Sequence, residues 1–251
     1  MLSARDIRLS YGGIHAVDGV SLDVPEGAIV GLIGTNGAGK TSLFNVITGF
    51  TPADSGAVTF RGDRVDGWPA ARIAAAGMVR TFQTPTGFPR MTVLENMLVF
   101  SRDERMTRTR LLGGARPDAR LIARCLEVLA EFGLAERANI WVQDLSAPEL
   151  KMLEFARASM AEPKILLLDE PAAGVNPAAL ENLVGHIRAL RDRGVTFLLV
   201  DHNLRFIADV CDSCVAMADG RVIARGPTDA VLNNPEVVRL YIGAPATQEP
   251  A

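Results

Sequence analysis

Apolar residues in the first sixty positions occur in short runs or alternate with polar residues, a pattern typical of β-strands. The pattern predicts strands around Ile7–Leu9, at Val20–Val24, at Ala28–Ile33 and at Ala57–Phe60. Proline and glycine within residues 25–27 favour a turn between the second and third of these strands. The chain therefore begins with a β-rich segment.

The pattern becomes mostly helical between about residues 70 and 157. Its clearest part is Arg120–Phe132, where the apolar residues recur at helical spacing and form one broad stripe. An amphipathic helix of this kind buries one face against other elements. We therefore expect a helical insertion after the β-rich segment.

A second α/β segment follows Pro163. Ile165–Leu168 and Val195–Val200 are continuously apolar, which is typical of strands buried on both faces of a parallel sheet. Pro177–Arg193, between them, has the pattern of a helix, so the three segments predict a βαβ unit. Val215–Gly226 predicts a hairpin, because an Asp-Gly pair lies at its centre. The whole pattern indicates an α/β core interrupted by a helical insertion.

Composition and charge exclude several classes of protein. Of the 251 residues, 48% are hydrophobic and 22% are charged, which excludes a disordered chain. The formal net charge of −3 gives no basic field of the kind that attracts nucleic acid. No apolar run approaches the roughly 18–20 residues that span a bilayer. Arg5 and Asp6 lie where a secretory signal would be apolar. We expect a cytoplasmic protein without a nucleic-acid partner.

The three cysteines allow two interpretations. Cys211 and Cys214 form a C-x-x-C pair, whereas Cys125 lies on an apolar helical face. A redox or metal-binding role requires a thioredoxin-like context or two further ligands, and the three histidines are scattered along the chain. The sequence therefore favours cysteines that act as small buried hydrophobic residues.

A phosphate-binding motif follows the predicted strand Ala28–Ile33. Residues 34–41 have the pattern G-x-x-x-x-G-K-T and lead into a helix-compatible segment. Its glycines let successive backbone N–H groups point inward, and the helix adds its N-terminal dipole. Lys40 would reach the β- and γ-phosphates of a nucleotide, and the Thr41 hydroxyl would bind Mg²⁺. The predicted nucleotide-binding residues are Gly34, Thr35, Asn36, Gly37, Ala38, Gly39, Lys40, Thr41 and Ser42.

Two acidic residues follow the apolar run Ile165–Leu168. Ligands of α/β sheets bind at the carboxyl edge of the strands, where Asp169 and Glu170 would lie. Asp169 could hold Mg²⁺ through water, because Mg²⁺ keeps several waters and takes few protein carboxylates. Glu170 would orient or deprotonate the attacking water.

These motifs, with others in the same order, resemble the nucleotide-binding subunit of ATP-binding-cassette (ABC) transporters over nearly the whole chain. The resemblance implies that Tyr11 stacks on adenine and that His202 contacts the γ-phosphate as the switch histidine. It implies that Gln83 is the hinge glutamine, which touches Mg²⁺ and the attacking water. It also implies that residues 172–177 cross a dimer interface.

The implied fold is a P-loop NTPase (RecA-like) α/β core with an N-terminal antiparallel β subdomain and an inserted helical subdomain. We expect one nucleotide-binding domain over residues 1–251. Residues 1–83 and 160–251 would form its ATP-binding core, and residues 84–159 the helical insertion with the signature region. The implied cofactors are ATP and Mg²⁺.

Several short sequence segments resemble those of the branched-chain amino acid importer subfamily, among them Thr48–Phe50, Met91–Asn96 and Asn234–Gly243. The resemblance implies an ATPase that powers uptake of branched-chain or hydrophobic amino acids, or of amides or urea. Its partners would be two integral-membrane permease subunits, a second cassette and, indirectly, an extracytoplasmic solute-binding protein. The chain would lie peripherally on the inner face of the cell membrane. An exporter cassette stays open as an alternative.

The signature region departs from the family pattern, which is usually Leu-Ser-Gly-Gly-Gln. The matching residues after Leu145 are Ser146, Ala147, Pro148 and Glu149. Pro148 has no backbone N–H to donate to the partner's γ-phosphate, although proline suits the first turn of a helix. The lost donor costs about 1.5–3 kcal/mol, or roughly 10- to 100-fold in hydrolysis. We therefore favour a heterodimer with one weakened site, and a catalytically weak ATP-dependent clamp is the alternative.

Overall fold

The computed structural model describes residues 1–81, 87–101 and 118–242. In chain order, the strands are β1 (Leu2–Tyr11), β2 (Ile14–Val24), β3 (Ile29–Gly34), β4 (Ser55–Phe60), β5 (Asp63–Arg64), β6 (Met78–Arg80), β7 (Ile165–Asp169), β8 (Thr196–Val200), β9 (Ser213–Ala218) and β10 (Arg221–Pro227). The helices are α1 (Lys40–Ile47), α2 (Ala70–Ala75), α3 (Val93–Val99), α4 (Ala119–Glu131), α5 (Ala147–Met160), α6 (Pro177–Asp192), α7 (Leu204–Val210), α8 (Thr228–Leu232) and α9 (Pro235–Ile242).

The strands form two sheets. The first is antiparallel, with the order β2-β1-β4-β5, and its long hairpin β1–β2 runs from the pair Leu2 and Val24 to the pair Tyr11 and Ile14. The second has the order β10-β9-β3-β8-β7-β6. Its strands from β9 to β6 are parallel, and β10 is an antiparallel edge strand. This architecture confirms the expected α/β core with an N-terminal antiparallel sheet.

The central parallel strands are buried on both faces, as their continuous apolar runs predict. Every residue of β3, β7 and β8 is buried. In β7, Leu166 and Leu168 pack into the apolar cluster formed with α3–α7, whereas Ile165 and Leu167 pack into the cluster that includes α1 and the antiparallel sheet. Successive side chains of a strand point to opposite faces, so one short strand serves two cores.

Helices α3, α4 and α5 pack against one another. They bury apolar residues that include Val93 and Met97 of α3, Cys125 and Leu129 of α4, and Leu153 of α5. The predicted amphipathic helix Arg120–Phe132 is therefore confirmed as α4, shifted by one residue. Among the residues that the structure describes, no helix is long and apolar enough to cross a membrane.

One element contradicts the mostly helical pattern predicted for residues 70–157. Met78–Arg80 forms the edge strand β6, parallel to β7, with Arg80 opposite Leu167. Three residues are too few for a detectable alternation, and their strand geometry comes from the long-range pairing with β7. The strand matters for the site described below, because Arg80 lies at its carboxyl end.

Candidate functional site

The glycines of the phosphate-binding motif are required by close backbone approaches. A Cβ atom on Gly34, the last residue of β3, would lie 2.4 Å from the carbonyl oxygen of Met217. A Cβ on Gly39, which precedes α1 with a φ of 94°, would lie 2.1 Å from the carbonyl oxygen of Ala16. The loop is therefore held between the β1–β2 hairpin and β9, and only glycine fits at these two positions.

Lys40 begins α1 and its ammonium group folds back over the loop. Nζ donates hydrogen bonds to the carbonyl oxygens of Gly34 and Thr35, both at 2.9 Å. Burial lowers the pKa of Lys40, and the nearby Glu170 and Asp169 carboxylates oppose that shift. The side chain thus places a positive charge at the loop, held by neutral carbonyls that phosphate oxygens can replace.

A cleft of about 510 Å³ opens between the loop and the β1–β2 hairpin. It is lined by Ile14, His15, Ala16, Asn36, Gly37, Ala38, Gly39, Lys40, Thr41, Ser42, Glu170 and Asp219. Seven consecutive predicted nucleotide-binding residues, 36–42, therefore line one cleft together with Glu170. Gly34 and Thr35 lie at the base of the loop, where their carbonyls bind Lys40.

The acidic pair is placed by the end of β7. Asp169 is buried at the last strand position, and Glu170 follows with a φ of 49°, in the left-handed region that non-glycine residues rarely adopt. The backbone N–H of Glu170 donates to the carbonyl of Val200 at 2.7 Å, which holds this turn against the end of β8. Unfavourable backbone conformations of this kind are concentrated at functional sites.

His202 lies beside Glu170, two residues after the end of β8. Its Nδ1 atom is 3.9 Å from Oε1 of Glu170, and its side chain is 59% exposed. The preceding residue, Asp201, is fully buried and accepts hydrogen bonds from the backbone N–H groups of Ala172 and Asn203, both at 2.9 Å. Asp201 thereby ties the histidine segment to the segment after Glu170.

Magnesium fits the donor atoms at this strand edge. Thr41 offers a hydroxyl oxygen in the cleft, and Asp169 offers a carboxylate close enough to act on the charge of Lys40. Mg²⁺ prefers oxygen ligands and is held by one or two carboxylates together with substrate phosphates and water. Gln83, the third predicted ligand, lies outside the described residues.

Tyr11 ends β1 at the hairpin and is half-exposed. It pairs with Ile14, and Ile14 is the member of that pair that lines the cleft. The stacking of Tyr11 on adenine therefore stays a prediction.

The signature residues form the N-terminus of α5. Ser146 is the N-cap; its hydroxyl accepts from the backbone N–H of Glu149, whose carboxylate accepts in return from the backbone N–H of Ser146 at 2.8 Å. The Ser146 hydroxyl and the Arg137 guanidinium also donate to that carboxylate, at 2.7 Å and 2.8 Å. These bonds, the hydroxyl first, lower the pKa of Glu149.

Pro148 lies in the first turn of α5, where proline is tolerated, so the helix forms despite the substitution. The hydroxyl of Ser146 is already bonded to Glu149, and Pro148 contributes no N–H. Both features reduce the donors that this helix end offers to an external phosphate.

Two residues at the site were not predicted to contact it. The Tyr241 hydroxyl in α9 accepts a hydrogen bond from the backbone N–H of Gly34 at 2.7 Å. Burial raises the pKa of Tyr241. Arg80 donates to the Asp169 carboxylate at 2.7 Å. Both contacts join residues that are far apart in the chain. In the sequence, Tyr241 is marked only by its place near the end of an amphipathic segment, and Arg80 only as a basic residue within an apolar segment.

The fold and the cleft define a P-loop nucleotide-binding protein. The ABC transporter family model matches residues 17–173. The chain belongs to this family, as one of its ATP-binding subunits. It is 37% identical to the high-affinity branched-chain amino acid transport ATP-binding protein LivG of Salmonella typhimurium, over 97% of this chain and 98% of that protein. It is 36% identical to the probable branched-chain amino acid transport ATP-binding protein LivG of Archaeoglobus fulgidus, over 97% and 96%.

Solved structures of ATP-binding cassettes also resemble this chain in sequence and fold. A nucleotide-free ATP-binding cassette from an ABC transporter is 33% identical and superposes with a TM-score of 0.86, covering 97% of this chain and 99% of that one. The ADP conformation of an ATP-binding cassette of an ABC transporter matches with the same TM-score, identity and coverage.

We predict that Tyr241→Phe destabilises the protein by about 1–3 kcal/mol, because the N–H of Gly34 loses its acceptor. Urea unfolding measures the change. Tyr11→Phe, at a half-exposed position, is the matched control and should change the free energy of unfolding by less than about 0.5 kcal/mol. Equal stability of Tyr241→Phe and the unmodified protein would show that this hydrogen bond does not hold α9 to the loop.

Proposed function

We propose that the chain binds and hydrolyses ATP to power an importer, through separate integral-membrane permease subunits. The observation that carries the proposal is the convergence of Lys40 and Glu170 at one cleft, with His202 beside Glu170. The solute is proposed to be a branched-chain or hydrophobic amino acid, or an amide or urea. The LivG relatives, which are branched-chain amino acid transport ATP-binding proteins, support the amino acid class.

The residues in and beside the cleft have different roles in ATP hydrolysis. Lys40 and the backbone N–H groups at the start of α1 bind the phosphates and stabilise the charge that develops on them. Glu170 orients the attacking water and accepts its proton. His202, 3.9 Å from Glu170, contacts the γ-phosphate. Tyr11 stacks on the adenine.

Thr41, Asp169 and Gln83 are the residues that would hold Mg²⁺. The ion supplies charge neutralisation across the phosphates when it is bound. The protein's part is to present oxygen donors at fixed positions, which the helix start at Thr41 and the strand end at Asp169 provide.

The test is Glu170→Gln in the assembled transporter, which keeps the shape of the side chain and removes the base. We expect ATP turnover to fall by about 10²–10⁴-fold, with ADP affinity unchanged. Glu136→Gln, at an exposed position in a short 3₁₀ helix, is the matched control and should keep full turnover. Full turnover by Glu170→Gln would contradict the assigned role of this residue.

The partner cassette is proposed to differ from this chain. Each signature helix would complete the nucleotide site of the other cassette, and here Pro148 and the Ser146–Glu149 bonds leave that helix end short of donors. A heterodimer would therefore have one active site, on this chain, and one weakened site, on its partner. A pair of identical chains would have two weakened sites.

We predict that Pro148→Gly restores a backbone N–H and raises the ATP turnover of the isolated chain about 10- to 100-fold. Pro52→Gly, at an exposed position outside α5, is the control for added flexibility and should leave turnover unchanged. If the unmodified chain alone hydrolyses ATP as fast as Pro148→Gly, the heterodimer proposal is contradicted. If Pro148→Gly binds ATP without faster turnover, the non-catalytic clamp is favoured instead.

The helices α3, α4 and α5 are proposed to form the inserted subdomain, residues 84–159, between core segments 1–83 and 160–251. Their mutual packing supports this division. An apolar groove of about 460 Å³ lies at the junction, between α2 and the half-exposed Phe50. Its lining residues are Thr48, Phe50, Ala70, Ala71, Ala74, Ala75, Met78, Val79, Arg80, Phe100 and Ala161.

We propose that this groove receives a segment of a permease subunit at the inner face of the cell membrane. Phe100 lines the groove and ends the segment Met91–Phe100. We propose that this segment and residues 84–90, of which 84–86 lie outside the described residues, form the permease contact. The small alanines of α2 leave space for large apolar side chains from the partner. Apolar surface of this kind favours a protein interface.

Ala71→Asp tests the docking surface, because it adds an unpaired charge to the groove and burial of such a charge is costly. We expect the permease subunits to be lost from preparations of the tagged chain, with nucleotide binding unchanged. Ala135→Asp, at an exposed site outside the groove, is the control. Retention of the permeases by Ala71→Asp would contradict docking at this groove.

A further inference from the structure

Arg80 carries a buried charge between the two central elements of the nucleotide site. Its Nη2 atom donates to Oδ2 of Asp169 at 2.7 Å, and its Nη1 atom donates to Oδ1 of Asn45 at 2.7 Å and to Oγ1 of Thr48 at 3.3 Å. The side chains of Arg80 and Asp169 are only 7% and 9% exposed. One guanidinium group therefore joins the end of β7 to α1 and the residue after it.

These contacts fix the orientation of Asp169. The guanidinium is planar and its donors have a fixed forked geometry, so a bond to one carboxylate oxygen restricts the rotation of the whole group. The same fork is held by Asn45, which lies on the helix that begins with Lys40 and Thr41. Asp169 and the phosphate-binding helix are thus positioned relative to each other by one side chain.

The other side of Arg80 faces the apolar groove. Arg80 is one of the residues that line it, and its guanidinium carbon lies 5.7 Å from the ring centre of Phe50 and 5.5 Å from that of Phe44. Phe50 is 54% exposed and also lines the groove. A partner that covers Phe50 would therefore change the surroundings of the guanidinium.

We propose that Arg80 is a positioning residue that connects the groove to the Asp169 carboxylate, so that occupation of the groove alters how the site holds a magnesium nucleotide. The proposal rests on the function proposed above for Asp169 and for the groove. A partner that covers the exposed Phe50 lowers the dielectric around the nearby guanidinium, and this strengthens its hydrogen bond to Asp169, because electrostatic attraction increases as the local dielectric falls. Groove occupation would thus hold Asp169 more firmly.

The first experiment measures ADP binding by calorimetry as a function of Mg²⁺ concentration. Arg80→Met removes the charge and the fork at similar length, and Arg80→Lys keeps the charge alone. We expect the Mg²⁺ concentration for half-saturation to rise 10-fold or more in Arg80→Met, since loss of a partner that orients a metal ligand typically costs 10- to 100-fold. Arg80→Lys should recover part of the loss, and ADP affinity without Mg²⁺ should not change.

The control is Arg72→Met in α2, which removes an arginine that stacks on Trp68, a residue just before that helix. It should bind ADP with the unmodified dependence on Mg²⁺. Thermal unfolding of each variant verifies that it is folded. If Arg80→Met does not fold, the measurement is made on Arg80→Lys. An unmodified Mg²⁺ half-saturation in the folded Arg80 variants would overturn the proposal.

The second experiment fills the groove with a larger side chain of this protein instead of a partner. Ala71→Phe places an aromatic ring where the partner's side chain would lie, and we expect it to lower the Mg²⁺ half-saturation at least twofold. In the Arg80→Met background the same substitution should have no effect, because the connecting side chain is gone. Equal effects of Ala71→Phe in both backgrounds would overturn the connection through Arg80.

The outcomes separate this proposal from the function on which it rests. If the unmodified chain binds ADP without any dependence on Mg²⁺, the assignment of Asp169 to the magnesium site is contradicted, and the Arg80 proposal with it. If the unmodified chain shows the dependence and the Arg80 variants share it, the nucleotide site stands and the Arg80 proposal alone is overturned.

Discussion

The close backbone contacts around the phosphate-binding loop are the constraint on which the rest of the site depends. Gly34 and Gly39 lie so near the carbonyls of Met217 and Ala16 that neither position accepts a Cβ atom. The loop is thereby held between the antiparallel hairpin and the parallel sheet. The two sheets are joined around it by the apolar cluster that includes α1. The nucleotide site is thus part of the packing of the core.

The order of the parallel strands brings the remaining groups to this loop. Because β8 lies between β3 and β7, the carboxyl ends of the three strands meet at one edge. The N–H of Glu170 bonds to the last residue of β8, and Asp201 holds the segments that follow β7 and β8. The loop and these two strand ends, which follow it by more than a hundred residues in the chain, therefore come together, with Lys40 between the carboxylates and the loop.

Much of this architecture follows from local patterns. The phosphate-binding motif is recognisable from its fixed spacing. The strands β7 and β8 are recognisable because a strand buried on both faces needs apolar residues throughout. The short strand β6 carries no such signal, since its geometry comes from pairing with β7. The contacts of Tyr241 with Gly34 and of Arg80 with Asp169 are likewise tertiary, and no spacing rule predicts them. The pairing with a second cassette is a proposal, drawn from the resemblance of the signature region and from Pro148 within it.

The central claim is that the ends of β3, β7 and β8 form a single site for a magnesium nucleotide. A crystal structure of the chain with ADP and Mg²⁺ tests it most directly. We expect the diphosphate against the backbone of residues 37–41, with Nζ of Lys40 moved from the carbonyls of Gly34 and Thr35 to a phosphate oxygen. A diphosphate bound outside this cleft, or a Lys40 that keeps both carbonyl bonds when ADP is present, would contradict the account.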